Sequence, residues 1–290
     1  LRNRGALTGM DPATIASNFD RIVDDALFWV TDHAAFLFDG LRLGFEGFYG
    51  AVFWALGGSP WYVTMILLGL AAWRLIGAGA GLAIAAGLAV CAFMGLWSET
   101  MSTFALVLSA TFLALLVALP IGILAGFNPR LNRAAEPVLD LIQTMPPYIY
   151  LLPAIALLGF GPATALAATL IVAMPPAIRL TALGISRTPA EFLELGKSLG
   201  MRRGQMFLKI RLPFAVPSIM AGINQTLMMA FGMVVIAGIV GSGGLGQTIY
   251  DAIRTLDIAK SIDAAIAIVI LTMVIDRLTQ GMAQRKGSGA

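Results

Sequence analysis

Residues 186–213 read SRTPAEFLELGKSLGMRRGQMFLKIRLP, a long polar stretch between two apolar segments. The first half of this stretch carries the signals of a short helix. Thr188 and Glu191 are spaced as a capping box, and the proline between them suits the first position of a helix. We therefore predict a helix from residue 189 to about residue 199.

The second half of the stretch predicts a bend and another short helix. Gly200 is expected to end the first helix in the left-handed conformation that glycine adopts without steric cost. A second helix should cover about residues 203–209, and Pro213 should mark the start of the next apolar helix. Residues 186–213, called the elbow below, thus form a helix–glycine–helix unit that projects from the apolar part of the chain.

The chain around the elbow is too apolar for a soluble protein. Of its 290 residues, 58% are hydrophobic and 12% are charged, whereas a soluble domain carries about 25% charged residues. The mean hydropathy is +0.85. These values exclude a soluble enzyme, a disordered chain and a coiled coil. Windows without a charged residue cover 47–73, 75–98, 100–129, 141–178 and 212–250.

Each of these windows can cross a hydrocarbon core about 30 Å thick. The run GFGP at 159–162 indicates a tight hairpin between two spans, and the glycine-rich run at 241–246 indicates a loop. We therefore predict an all-α polytopic membrane protein whose transmembrane domain covers residues 59–283. About seven spans are expected, at 60–76, 78–97, 102–127, 140–158, 163–184, 216–240 and 261–280.

Basic residues are concentrated on alternate loops, which assigns the two sides of the membrane. The elbow carries six Lys and Arg residues between 187 and 211, whereas the loops at 98–101 and 159–162 carry none. Cytoplasmic loops are enriched in Lys and Arg. The elbow and the tail at 284–290 are therefore expected to be cytoplasmic, and an odd number of spans then places the N-terminus outside.

The N-terminal segment 1–58 is expected to be an extracytoplasmic tail with amphipathic helices. Ile15, Phe19 and Ile22 recur at helical spacing among acidic residues. Such a helix either lies on the outer membrane surface or clasps the bundle; a solvated helical tail is the alternative.

Two glycine motifs resemble nucleotide sites but lack what those sites need. The run GKS at 196–198 would require glycine at position 191, which is Glu191. The run GSGGLG at 241–246 matches G-x-G-x-x-G, but it follows an apolar helix and not a strand. We assign it to an extracytoplasmic gate or docking loop, with a flexible turn as the alternative. Its glycines are Gly241, Gly243, Gly244 and Gly246.

Catalytic and metal sites are not suggested by the rest of the sequence. The chain has one histidine and one cysteine, so neither a Ser-His-Asp or Cys-His site nor a Cys/His metal cluster can be assembled within it. Acidic residues are scarce inside the spans, which argues against the buried relay of an ion-coupled carrier. We expect no enzymatic activity and no cofactor in this chain.

The elbow resembles the EAA signature of ABC importer permeases, E-A-A-x-x-x-G-x9-I-x-L-P. The spacing is that of the signature, and its two alanines are replaced by leucine and glycine. Five positions match the signature: Glu194, Gly200, Ile210, Leu212 and Pro213; Leu195 and Gly196 stand at its two alanine positions. Segments at 140–153, 173–180, 217–227 and 233–238 look like the membrane subunit of glycine betaine/proline betaine (ProW-like) importers.

This resemblance implies a type I ABC importer transmembrane domain in the bacterial inner membrane. It further implies a homodimeric permease, two cytoplasmic ATPase subunits that bind ATP and Mg²⁺, and an extracytoplasmic substrate-binding protein. The elbow would couple the permease to the ATPase. The residues assigned to coupling are Glu191, Glu194, Leu195, Gly196, Gly200, Arg202, Arg203, Ile210, Leu212 and Pro213. Solvated helix charges are the alternative for Glu194 and the two arginines.

The translocation pathway is expected where polar side chains interrupt apolar spans. The residues assigned to it are Gln143, Met145, Tyr148, Asn224, Gln225 and Met228. Ordinary helix packing is the alternative for Met145, Tyr148 and Met228. The implied solute is glycine betaine, with choline, proline betaine, trimethylamine N-oxide and sulfonium analogues open. A permease for amino acids or other small solutes would share the elbow, and an ion-coupled secondary transporter is the rival class.

Overall fold

The computed structural model describes residues 12–287, and this part of the chain is almost entirely helical. The residues 1–11 and 288–290 of the two predicted tails lie outside the described part. The α-helices are α1 (Pro12–His33), α2 (Ala35–Gly57), α3 (Trp61–Leu75), α4 (Ala78–Phe93), α5 (Trp97–Phe127), α6 (Pro129–Thr144), α7 (Leu151–Leu158), α8 (Pro162–Ser186), α9 (Ala190–Ser198), α10 (Arg203–Met206), α11 (Leu212–Ala237), α12 (Gly244–Thr255) and α13 (Ile258–Gly287).

The centre of the bundle is α8, which packs along α5 on one side and along α11 on the other. Glycines permit this close approach. A Cβ atom on Gly122 of α5 would lie 2.8 Å from the Ile178 carbonyl oxygen, and one on Gly126 would lie 2.9 Å from that of Ala182. Two helices can approach this closely only where one of them lacks side chains.

The number of spans is lower than the seven predicted. Among the described residues, α5, α8, the continuous helix Arg203–Val240 and α13 are long and apolar enough to cross a membrane, and two bent helix pairs bring the number to six. The expected spans 60–76 and 78–97 correspond to α3 and α4, which have 15 and 16 residues. At 1.5 Å per residue each reaches only about 24 Å, so the charge-free windows overestimated their length.

The N-terminal segment reaches the bundle through α2. Tyr49 and Phe53 pack against the core, and the Tyr49 hydroxyl lies 2.8 Å from Ser102 Oγ of α5. The predicted boundary at residue 58 falls between α2 and α3, where the chain bends by 91°. Pro60 at this bend has no amide hydrogen and cannot extend the preceding helix.

The predicted span 140–158 is broken. Helix α6 ends at Thr144, and the chain bends by 103° before a 3₁₀ turn at Pro147–Tyr150 leads into α7. Met145 adopts an extended conformation with ψ 140°, because the residue before a proline is excluded from the helical region. The predicted hairpin at 159–162 is confirmed, with Gly159 and Gly161 at φ +76° and +131°.

The glycine-rich loop is shorter than its sequence suggested. Helix α11 continues through a 3₁₀ turn to Val240, and α12 begins at Gly244. Residues 244–246, the second half of the run predicted to be a loop, are therefore the buried first turn of a helix that continues to Thr255. Gly244 and Gly246 have no side chains, so the first turn of α12 can pack against the backbones of other helices. From the sequence alone, such a packed run of glycines looks the same as a flexible turn.

Candidate functional site

The elbow bends at Gly200 as predicted. Gly200 has φ +68°, its amide donates to the Lys197 carbonyl over 3.0 Å, and the Met201 amide donates to the Gly196 carbonyl over 2.9 Å. These bonds satisfy carbonyl groups that the end of α9 would otherwise leave without partners. The chain is thereby turned back so that α9 lies against the segment that follows it.

The predicted capping box is wrong. The helix begins at Ala190 after Pro189, and no side chain caps it. The Thr188 hydroxyl donates instead to the Ile185 carbonyl over 3.1 Å and so closes the end of α8. Because α8 ends only two residues before this threonine, a free carbonyl of α8 lies closer to it than the first amides of α9.

Gly196 is the contact point between the two halves of the elbow. It is buried, and a Cβ atom there would lie 2.8 Å from Met206 Sδ and 2.9 Å from Ile210 Cδ1. Phe192 of α9 also packs on Phe214 of α11, with ring centroids 4.8 Å apart. The two ends of the sequence signature thus meet in one compact unit.

The second half of the elbow continues directly into a membrane helix. Leu212 donates its amide to the Phe207 carbonyl, five residues back, which defines a π turn at Phe207–Arg211 between α10 and α11. Pro213 lies in the first turn of α11 as predicted. Wider turns of this kind accommodate helix positions where an amide hydrogen is missing. Residues Arg203–Val240 form one helical rod as a result.

The outer surface of the elbow combines charge with exposed apolar groups. Leu195 is 55% exposed and Leu199 is 70% exposed. The coupling candidates whose side chains are exposed are Glu191, Glu194, Leu195, Arg202, Arg203 and Pro213, whereas Gly196 is buried and Ile210 and Leu212 are half-buried. An apolar patch with a charged rim is typical of a surface that binds another protein.

Arg211 fastens the elbow to the bundle and was not singled out from the sequence. Its guanidinium lies 4.8 Å from the Phe127 ring centroid at the end of α5, and its Nη1 donates to the Ile185 carbonyl of α8. The only sequence feature that could have indicated this contact is the position of Arg211 within the signature, directly before Leu212 and Pro213. The elbow therefore contacts the ends of three bundle helices.

The predicted pathway residues gather where α6 ends beside α11. Gln143 Nε2 lies 4.0 Å from Met229 Sδ, and Tyr148 on the following turn is 59% exposed. Gln225 and Met228 are exposed on one face of α11, while Met145 is half-buried. Asn224 differs from them, because its Oδ1 is buried and lacks a hydrogen-bond partner among the described residues.

A charged residue missed by the sequence analysis joins this group. Arg179 of α8 donates to Gln143 Oε1 over 2.6 Å and also to Asp140 Oδ1. In the sequence it marks only the end of a charge-free window. The two prolines that precede it in α8 are the local feature that could have marked it.

The glycine loop at the other end of α11 is held firmly by its neighbours. Gly241, Gly243 and Gly244 have φ between +72° and +80°. The Leu245 amide donates to Thr103 Oγ1 of α5 over 2.8 Å. A Cβ atom on Gly246 would lie 2.7 Å from the Val235 carbonyl oxygen. Of the four glycines assigned to a gate, Gly241 is the exposed one, Gly243 is half-buried, and the other two are buried.

The chain is similar in sequence to one family of membrane proteins. Residues 118–287 match the family "Binding-protein-dependent transport system inner membrane component". The chain is 40% identical over 263 residues to the glycine betaine/proline betaine transport system permease protein ProW of Escherichia coli K12, covering 91% of this chain and 74% of ProW. It is 38% identical to the glycine betaine transport system permease protein OpuAB of Bacillus subtilis 168, covering 94% and 96%.

A solved structure shows the same fold. The inward-facing MetNI methionine ABC transporter matches 66% of this chain and 95% of its own chain, with a TM-score of 0.60 and 22% identity. At this identity the likeness concerns the path of the backbone alone.

Proposed function

The chain belongs to the family of binding-protein-dependent transport system inner membrane components, and from this membership we propose that it carries a betaine-type solute as the permease subunit of an ATP-driven ABC importer. It is a polytopic inner-membrane protein with the transmembrane fold of a type I importer. The names of ProW and OpuAB, two relatives similar over nearly the whole chain, support glycine betaine or proline betaine as the solute.

The observation that carries the proposal is the helical rod Arg203–Val240. Its first turns belong to the elbow, and its middle presents Gln225 and Met228 on an exposed face. At 1.5 Å per residue the 38 residues extend about 57 Å. A displacement of the elbow therefore moves the residues assigned to the pathway directly, without an intervening loop that could absorb the motion.

The assembly proposed for this mechanism has three kinds of component. Two copies of the chain form the pathway between them, and two ATPase subunits bind ATP and Mg²⁺ and contact the two elbows. A substrate-binding protein delivers the solute from outside. Closure of the ATPases on ATP displaces the elbows, and the chain itself hydrolyses nothing. The elbow and residues 284–290 are assigned to the cytoplasm and residues 1–58 to the outside, as the distribution of basic residues indicates. This assignment requires an odd number of spans, which within the four to six counted among the described residues is five.

The surface of the elbow supports a protein partner on the cytoplasmic side. Leu195 and Leu199 present apolar area, and Glu194, Arg202 and Arg203 supply charges around it. The internal contact between Gly196 and Ile210 keeps this surface rigid, and a rigid surface loses little conformational entropy on binding. At the opposite end of α11, the exposed Gly241 and the turn around it remain our assignment for a gate or docking loop.

Reconstitution tests the proposal. The chain is inserted into proteoliposomes with its ATPase and binding protein, and uptake of labelled glycine betaine is measured. We expect uptake that requires ATP and the loaded binding protein, and no ATP hydrolysis by the purified chain alone. Uptake driven by an ion gradient without the ATPase would identify a secondary transporter. ATP-dependent uptake of an amino acid but of no betaine, choline or amine oxide would identify the other permease class.

A further inference from the structure

One cation of α8 reaches across to the end of α6. Arg179 donates from Nη1 to Gln143 Oε1 over 2.6 Å and from Nη2 to Asp140 Oδ1. The two acceptors are three residues apart and therefore lie on one face of α6. The Arg179 side chain is 35% exposed and that of Asp140 is 67% exposed. One guanidinium thus contacts both Asp140 and Gln143 in the last two turns of α6, directly before the helix breaks.

This contact fixes the orientation of the Gln143 carboxamide. A guanidinium group has only donors, so the amide atom that faces it must be the oxygen. The NH₂ group consequently points away from Arg179, toward α11, where it donates to Met229 Sδ over 4.0 Å. A thioether is a weak acceptor, so the hydrogen-bonding capacity of these N–H groups is left almost unused.

The environment of this NH₂ group matches a particular kind of ligand. Gln143 is exposed, and so are Gln225 and Met228 on the helix that it faces. A donor fixed beside the polarizable Met229 side chain suits a compact molecule with an anionic oxygen at one end and methyl groups at the other. Hydrogen bonds to an ionised acceptor are shorter and stronger than those between neutral groups.

We propose that the Gln143 amide is a subsite for the anionic oxygen of the solute and that Arg179 is the residue that positions it. The inference rests on the proposed function and specifies its substrate class: compact zwitterions with an acceptor oxygen, whether the carboxylate of a betaine or the oxide of an amine oxide. Asp140 pairs with the other terminal nitrogen of Arg179, but its side chain is 67% exposed, and an exposed ion pair contributes little to the position of either partner, so Asp140 is not part of the subsite.

Three variants separate this role from a purely structural one. Gln143→Glu keeps an oxygen for Arg179 but replaces the donor with a second acceptor that repels an anionic oxygen. Arg179→Lys keeps the charge opposite Asp140 but loses the planar fork that contacts both partners at once. Asp140→Asn removes the ion pair and leaves the bond between Arg179 and Gln143 intact.

The experiment measures initial uptake of glycine betaine and of trimethylamine N-oxide by the complete transporter in proteoliposomes. We expect uptake of both to fall at least tenfold in Gln143→Glu and about threefold to tenfold in Arg179→Lys, and to stay within twofold in Asp140→Asn. ATP hydrolysis stimulated by the loaded binding protein should persist in all three variants, because assembly and elbow are unchanged. The thermal midpoint of the detergent-purified permease checks folding.

The outcomes distinguish the subsite from the function on which it rests. Normal uptake by Gln143→Glu, with an active wild type, would overturn the subsite and leave the importer standing. If uptake by Asp140→Asn fell as far as uptake by Arg179→Lys, Arg179 would act through its ion pair with Asp140, which holds α6 against α8, and not by orienting Gln143. Absence of wild-type uptake of either solute, with a loaded binding protein present, would remove the proposed function and the subsite together.

Discussion

Gly196 lies against Ile210: a Cβ atom on the glycine would stand 2.9 Å from the isoleucine Cδ1. Gly196 is the third position of the sequence signature, and Ile210 lies ten residues after Gly200 in the same signature. The two residues meet because Gly200, with a φ of +68°, turns the chain between them. The signature therefore describes a folded unit whose two halves pack on each other, in addition to a surface offered to a partner.

Replacement of Gly196 should depend on the size of the new side chain. Gly196→Ala introduces a Cβ whose nearest neighbours are the flexible ends of Met206, Ile210 and Met201. These can move by a few tenths of an ångström, so uptake should remain within about threefold of wild type. Gly196→Leu cannot be accommodated and should separate the two halves, with a loss of at least tenfold. Uptake and ATPase association are measured for both variants in proteoliposomes. Normal uptake by Gly196→Leu would contradict the packing argument.

Gly200 should resist substitution for a different reason. Nothing lies within 4 Å of a Cβ built there, so the obstacle is the left-handed backbone, which costs a β-branched residue about 1–2 kcal/mol. We expect Gly200→Val to abolish uptake while the permease remains dimeric and inserted, because the second half of the elbow is misdirected.

Gly204 supplies the matched control for Gly200. Its Cβ position is equally open, and its φ is not in the positive range. Gly204→Val should therefore retain most of the uptake. Equal losses in the two valine variants would show that bulk on the elbow surface matters and that the left-handed turn does not.

The glycine loop at the far end of α11 should be sensitive to a single methyl group. A Cβ on Gly238 would lie 2.2 Å from the Gly246 carbonyl carbon, whereas one on Gly232 meets nothing within 4 Å. Gly238→Ala should lower the unfolding midpoint of the purified permease by several degrees, since backbone atoms cannot move aside as side chains do. Gly232→Ala should leave the midpoint unchanged or slightly raised. A stable Gly238→Ala variant would indicate that this loop is looser than its contacts suggest.

Sidedness can be tested with reporters fused along the chain. A reporter at residue 20 should be accessible from outside, and reporters at residues 195 and 288 from the cytoplasm, because Lys and Arg are retained on the cytoplasmic side. Residue 195 lies on the exposed surface of α9. Residues 20 and 288 on one side would show an even number of spans, four or six, and would overturn the outside placement of residues 1–58.

Composition, charge distribution and the signature were sufficient to predict a helical membrane protein with an elbow. Each of these signals is local: an apolar window predicts a helix in lipid, and Gly200 predicts a left-handed turn regardless of what surrounds it. The same local character explains the errors. The capping box at Thr188 failed because its hydroxyl is bonded to the end of α8, and the windows over α3 and α4 gave no indication that each helix is too short to span.

The tertiary structure alone decided which side chains face each other. Arg179 and Gln143 are 36 residues apart, and Gly238 approaches Gly246 only because α12 folds back onto α11. Such contacts depend on the crossing of helices, which follows from packing across the whole bundle and leaves no periodic trace in the sequence. The sequence determined that a membrane-spanning chain would carry an elbow. Packing determined that the second half of the elbow is continuous with α11 and that Arg179 orients the Gln143 amide.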